Sequence, residues 1–144
     1  MNDTGGRKAQ TGRCLCGKVK FTIGEGVDEI GACHCDMCRR WSGGPMFALH
    51  CKGPVEFEGE EHIVRYKSSD WGERGFCGVC GSSLFYHLLP TGEYMVSPCA
   101  LDDQSGLKFT NQIFIDEKPA YYDFANDTVK MTGAEVFAMY APKE

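Results

Sequence analysis

Seven of the nine cysteines fall in three tight groups: Cys14-Leu15-Cys16-Gly17, Cys33-His34-Cys35-Asp36-Met37-Cys38, and Cys77-Gly78-Val79-Cys80-Gly81. A deprotonated thiol is both a nucleophile and a soft metal ligand, so this grouping points to metal binding or sulfur chemistry rather than packing. Cys77 and Cys80 form a C-x-x-C knuckle, in which the small Gly78 and Gly81 permit the turn that aims both sulfurs inward. Cys14 and Cys16, two residues apart, share one side of an extended segment. Two such pairs make a tetrahedral four-thiolate site. Joining them closes a loop of about sixty residues, where a metal clip contributes most to folding. Cys33, Cys35 and Cys38 place three sulfurs around one ion from a single local segment, with no local fourth ligand. Structural zinc sites saturate with four protein ligands, whereas catalytic ones keep a position for water or substrate, so the triplet is the candidate for chemistry. Spacing alone leaves open how the seven sulfurs divide between the two sites.

Zinc with three thiolates is net negative, and Arg39 and Arg40 beside the triplet either offset that charge, hold an anionic substrate, or are solvated surface charge. His34, between two ligating cysteines of an extended segment, points to the opposite side and is not expected to ligate. Cys51 shares a strand face with Phe47 and Leu49, which makes it a buried core thiol, and the solitary Cys99 is expected to pack in the same way. His50, His62, His87, Asp102 and Asp103 have no partner visible in the sequence and read as surface or satisfied polar residues.

These groups must be positioned by 144 residues, enough for one domain with a core of its own. Residues 1–11 read as a flexible tail and 12–144 as a single domain. The first ten residues are polar and lack the apolar stretch of a signal peptide, and no apolar run is long enough to span a bilayer. A cytoplasmic protein is expected, with no membrane partner, in a compartment where thiols bind metal rather than form disulfides. Fifteen Lys and Arg against twenty Asp and Glu give a net charge of −5, the wrong sign for a nucleic-acid partner.

The chain is mainly β by its patterning. Val19, Phe21 and Ile23 alternate with Lys18, Lys20 and Thr22, the period of a half-buried strand. Further strand-like runs lie at Met46–Cys51, Val55–Phe57, Ile63–Tyr66, Leu84–Leu88, Tyr94–Val96 and Asn111–Ile115, punctuated by Gly and Pro. Helix is limited to a turn at His34–Trp41 and a segment at Gly133–Tyr140, where Val136, Phe137 and Tyr140 have helical spacing.

The ordered set Gly12-Arg13-Cys14-Leu15-Cys16-Gly17, Cys33-His34-Cys35-Asp36-Met37-Cys38-Arg39-Arg40 and Phe76-Cys77-Gly78-Val79-Cys80-Gly81-Ser82 closely resembles the glutathione-dependent formaldehyde-activating family, which has a centromere protein V branch. Weaker likeness continues through Ala100-Leu101-Asp102-Asp103 to Lys118-Pro119-Ala120-Tyr121. The resemblance implies small β-sheets pinched by zinc, a β-tent with little helix. It implies a structural zinc on Cys14, Cys16, Cys77 and Cys80 and a catalytic zinc on Cys33, Cys35 and Cys38, two ions per chain. Members tend to carry a small residue at Cys99 and a tryptophan near Tyr121 or Tyr122, so this chain departs from the pattern there.

The implied activity is that of a carbon–sulfur lyase on a thiol conjugate such as S-hydroxymethylglutathione, the adduct of formaldehyde and glutathione. A zinc-bound thiol loses its proton outright, and zinc accepting a departing sulfur stabilises the charge on the leaving group. Arg39 would pair with a substrate carboxylate. The alternative is a non-enzymatic zinc module that binds a protein partner, since a fold does not fix a function. Oligomeric state is not legible.

Overall fold

The computed structural model describes residues 8–140. In chain order the elements are β1 (Gln10–Arg13), β2 (Lys20–Ile23), β3 (Glu29–Cys33), α1 (Asp36–Ser42), β4 (Met46–Cys51), β5 (Val55–Glu58) and β6 (Ile63–Ser69). There follow β7 (Gly72–Cys77), β8 (Ser83–Leu88), β9 (Glu93–Val96), β10 (Lys108–Ile113), β11 (Val129–Lys130) and α2 (Gly133–Tyr140). The protein is therefore mainly β, as its alternating pattern requires. Neither described helix is long and apolar enough to cross a membrane. Residues 1–7 of the expected tail lie outside the described residues, and strand structure starts at Gln10 rather than Gly12.

The chain forms two compact units. The first comprises residues 8–29 together with Ala48–Leu107. It contains a three-stranded antiparallel sheet, β1-β2-β5, and the ladder β4-β9-β8-β7-β6. Phe21 of β2 faces Phe57 of β5 in register. The Phe57 ring lies 5.3 Å from both Phe85 and Tyr94, which themselves meet edge to face at 4.9 Å. Leu49, Val96, Phe85 and Cys51 point into the same buried layer, the consequence of two-residue alternation along paired strands.

The second unit comprises Ile30–Phe47 and residues 108–140. Its ladder runs β11-β10-β3, with α1 following β3 and α2 following β11. Phe47, Phe109 and Phe124 meet edge to face at 5.0–5.6 Å and supply its aromatic centre. The expected strand over Asn111–Ile115 lies two to three residues earlier, because Phe114 adopts φ 54° and ends β10 at Ile113. That left-handed conformation is uncommon for a bulky residue. Phe114 is held there against Phe137 of α2, ring centroids 5.7 Å apart.

Gly59 joins β5 to the turn before β6 with φ 79°, and a Cβ there would sit 2.0 Å from the Lys18 carbonyl oxygen. A backbone oxygen cannot move aside as a side chain can. Gly59→Ala is expected to cost about 2 kcal/mol or more, lowering Tm by roughly 4–8 °C. Gly53→Ala, with open space around the new methyl, is the control and should leave Tm within a degree or two. Thermal unfolding of both variants checks this.

Candidate metal centres

Cys14 follows the last residue of β1, and the segment through Gly17 turns sharply: Gly17 N–H donates to Cys14 C=O at 3.2 Å with Gly17 at φ 80°. The two sulfurs converge through this turn, not along the extended segment that their spacing suggested. Arg13 closes it from outside by donating to the carbonyls of Cys14 and Leu15 at 3.0 and 2.9 Å. Cys77–Ser82 is the connection of the β7–β8 hairpin. Cys77 N–H donates to Ser82 C=O at 2.9 Å and Gly81 N–H to Cys77 C=O at 2.7 Å. A bulge between Gly75 and Phe76 precedes it.

The four sulfurs of Cys14, Cys16, Cys77 and Cys80 lie within 4.8 Å of one another, with Cys14 to Cys16 at 3.6 Å and Cys16 to Cys77 at 3.8 Å. Four thiolates at the zinc–sulfur bond length around a tetrahedral ion are about 3.8 Å apart, so this cluster has the dimensions of a zinc site. The donor chemistry agrees. Cys77 Sγ accepts from the N–H groups of Val79 and Cys80 at 3.4 and 3.5 Å, and Cys14 Sγ from Val19 N–H at 3.4 Å. Such bonds favour the anionic sulfur that a metal requires. Ser82 joins the two turns, its oxygen accepting from Leu15 N–H at 3.0 Å and its hydroxyl lying 3.2 Å from Cys80 Sγ. The Ser82 hydroxyl, joined by the backbone of Cys16 and Ser82 and against the effect of burial, lowers the pKa of the Cys80 thiol to about 5. Ser82 was overlooked by sequence reasoning, although it directly follows the Cys-Gly of the knuckle.

In the second unit, Cys33 ends β3 and Cys35 caps α1, its sulfur accepting from Cys38 N–H at 3.3 Å. Glu117 reaches the same helix start and accepts from Asp36 N–H at 2.9 Å. The sulfurs of Cys33, Cys35 and Cys38 lie within 4.8 Å of one another. Among the described residues no His, Asp or Glu completes this group as a fourth ligand. Cys35 and Cys38 push the Cys33 thiol far above its ordinary range, and burial adds to this. Three sulfurs this close ionise together only around a cation, which is the condition a metal satisfies.

His34 turns away from that role. Its ring nitrogens are both engaged, Nδ1 with Tyr122 Oη at 2.7 Å and Nε2 with Gln112 Oε1 at 2.8 Å. Burial, with Lys118 and Arg39 adding to it, keeps the imidazole below its usual pKa and therefore neutral at pH 7, against the opposing bond to Gln112. Arg39 lies beside the triplet, donating Nε to His34 C=O at 2.8 Å with Nη2 3.9 Å from Asp36, while Arg40 shares its Nε–H between the two Asp36 oxygens at 3.0 and 3.2 Å and is mostly exposed.

The remaining candidates fall outside both centres. Cys51 is a buried core thiol raised to about 11 by desolvation. Cys99 does not pack as expected, because it sits on an exposed single turn after Pro98 rather than on a strand with a buried face. His50 pairs with Glu93 at 2.8 Å, and His87 donates to Glu73 at 2.8 Å while stacking on Tyr94 at 4.1 Å. Arg65 reaches the same Glu73 oxygen at 2.7 Å. Asp102 accepts from the Thr11 hydroxyl at 2.7 Å, and His62 lies 3.6 Å from Glu61.

Two thiolate clusters held in the turns and ends of short antiparallel strands define a small β protein built around candidate metal centres. The profile of the family described as glutathione-dependent formaldehyde-activating enzyme matches residues 9–117, and the chain belongs to that family. It is 32% identical over 126 residues to an uncharacterized lyase of Schizosaccharomyces pombe, covering 87% of this chain and 92% of that one. A provisionally named glutathione-dependent formaldehyde-activating enzyme of Halomonas elongata is 31% identical over 83 residues, 51% of this chain and 53% of its own length. A crystal structure of a Rhodobacter sphaeroides protein shares the fold with TM-score 0.56 at 21% identity, covering 69% of this chain and 99% of that protein.

The two solitary cysteines give a direct check of these environments. In the native protein Cys99 should be alkylated by iodoacetamide within minutes, and Cys51 should resist until denaturant is added. Peptide mass spectrometry of the time course reads both sites at once.

Proposed function

We propose that the protein is a zinc-dependent carbon–sulfur lyase acting on a thiol conjugate of the S-hydroxymethylglutathione type. The observation that carries this reading is the three-sulfur cluster of Cys33, Cys35 and Cys38, gathered without a fourth side-chain ligand among the described residues. Membership of the family and the lyase name of the Schizosaccharomyces pombe relative support it. The donor sets fit two zinc ions per chain, one structural on Cys14, Cys16, Cys77 and Cys80 and one catalytic on the central triplet.

When bound at the triplet, zinc supplies a Lewis acid for a substrate sulfur and holds a thiol deprotonated at neutral pH. The residues of the chain do the rest. Cys33, Cys35 and Cys38 set the position of the site from a strand end and a helix cap, so their placement does not depend on a mobile loop. Beyond its bond to His34 C=O and its 3.9 Å pairing with Asp36, Arg39 has further guanidinium N–H groups, and these pair with a substrate carboxylate. In the lyase direction the carbon–sulfur bond breaks with its electron pair remaining on sulfur. The hydroxyl proton passes to water and the C–O bond becomes the carbonyl of formaldehyde. The reverse joins thiolate and carbonyl carbon through the same geometry.

Four experiments test this. Elemental analysis of zinc-replete protein should give two ions per chain, the triplet ion being lost first to a chelator. Cys38→Ser should leave a folded protein with one zinc and no lyase activity on S-hydroxymethylglutathione. Cys80→Ser should lower Tm by about 10 °C or more, or give insoluble protein, because it opens the clip that closes a long loop. The reverse pattern would exchange the two assignments. In calorimetry S-methylglutathione should bind at least about tenfold more weakly than glutathione, a difference of 1.4 kcal/mol, since methylation removes the ionisable sulfur and leaves the carboxylates. Equal affinities would show that sulfur is not the anchor.

A further inference from the structure

His34 has no unspent polar atom. Its N–H donates to Ile113 C=O at 3.1 Å, its C=O accepts from Arg39 Nε at 2.8 Å, and both ring nitrogens are bonded. The residue is fully buried and sits between Cys33 and Cys35, so its position fixes the backbone from which two of the three central sulfurs project.

The ring bonds form a directed chain. Gln112 Nε2 donates to Thr128 Oγ1 at 2.8 Å, which turns its Oε1 toward His34 as an acceptor. His34 must then carry its proton on Nε2, and Nδ1 accepts from the Tyr122 hydroxyl. Gln112 is 1% exposed, and its place in β10 is fixed because its own backbone C=O accepts from Met131 N–H at 2.9 Å. Tyr122 is held in turn by Lys118, whose ammonium donates to the Tyr122 and Pro119 carbonyls, pairs with Asp123 at 2.8 Å and lies over the Tyr122 ring at 5.1 Å. Gln112 lies within the residues matched by the family profile, whereas Tyr122 and Thr128 lie beyond residue 117.

We propose that Gln112 and Tyr122 are positioning residues which, through the two ring nitrogens of His34, hold Cys33, Cys35 and Cys38 in a preorganised three-thiolate geometry. Neither touches substrate. The segment after residue 117 thus supplies one of the two ring partners of His34, supporting a site whose sulfurs all lie earlier in the sequence. A buried network in which every member is satisfied rigidifies what it holds, and loss of support around a metal ligand typically changes affinity by about 10–100-fold; here the support acts through His34, which joins two of the three candidate ligands along the backbone. The proposal rests on the reading of the triplet as a metal site.

Tyr122→Phe removes one donor with little change in shape. Gln112→Leu removes the other partner, and Gln112→Glu keeps an acceptor for His34 Nε2–H. Competition with a chromophoric chelator should show second-site zinc or cobalt affinity falling about 10–100-fold in Tyr122→Phe and Gln112→Leu, with the tighter four-thiolate phase unchanged. Gln112→Glu should recover most of the loss. The d–d envelope of cobalt at the second site should broaden and shift in the two weakened variants. Unchanged second-site affinity and spectrum would overturn the proposal, as would equal weakening of both sites, the mark of a general loss of stability. If the wild-type triplet takes up neither zinc nor cobalt, the metal reading fails. Arsenite, which binds three thiols directly, then decides the positioning proposal: weaker binding in Tyr122→Phe and Gln112→Leu supports it, and equal binding overturns it.

Discussion

Thiolates resist crowding, and that resistance governs how each cysteine cluster is built. Sulfurs within 4.8 Å of one another repel when ionised, and Cys33 shows the consequence, since Cys35 and Cys38 hold its proton far above the usual range. Such a cluster is tolerable only where the backbone forces the sulfurs together, N–H groups face them, and a cation is available to complete the charge balance. The turns at Cys14–Gly17 and Cys77–Ser82 and the cap of α1 each satisfy the first two conditions. Short strands suit this work because their ends deliver the turns without long connections.

The two clusters meet the constraint by different local means. In the four-sulfur cluster, Ser82 ties one turn to the other and its hydroxyl lowers Cys80, so a side chain that binds no metal completes the arrangement. In the three-sulfur cluster the support comes from beneath, through a buried neutral histidine whose donors and acceptors are all satisfied. Burying a polar ring without partners is costly, and with partners it becomes a rigid post. The same residue thereby loses the free nitrogen it would need to serve as a ligand.

Charge around the triplet is balanced locally. Asp36 accepts from Arg40 Nε and also lies 3.9 Å from Arg39, whose Nε is bonded to the backbone carbonyl of His34. Only Arg39 is tied to the backbone between two of the central cysteines, which separates two adjacent arginines that look equivalent in sequence.

What the sequence determined by itself is the part of the structure that depends on neighbours a few residues apart. The grouping of Cys14 with Cys16, of Cys33 with Cys35 and Cys38, and of Cys77 with Cys80 follows from spacing, and β2, β4, β5, β6, β8 and β9 follow from alternation. β7 was invisible because Gly72-Glu73-Arg74-Gly75-Phe76-Cys77 carries no apolar alternation; its glycines matter through the rings of Tyr86 and Phe85 that lie over them. β1 was missed for the same reason, its strand character coming from pairing with β2 rather than from pattern. The exposed position of Cys99, the joining of Ser82 to Leu15, and the bonds from His34 to Gln112 and Tyr122 were decided only by the tertiary structure. Those bonds span 67, 78 and 88 residues, and a hydrogen bond between groups so distant leaves no local periodicity to read, because it exists only after the strands have brought its two ends together.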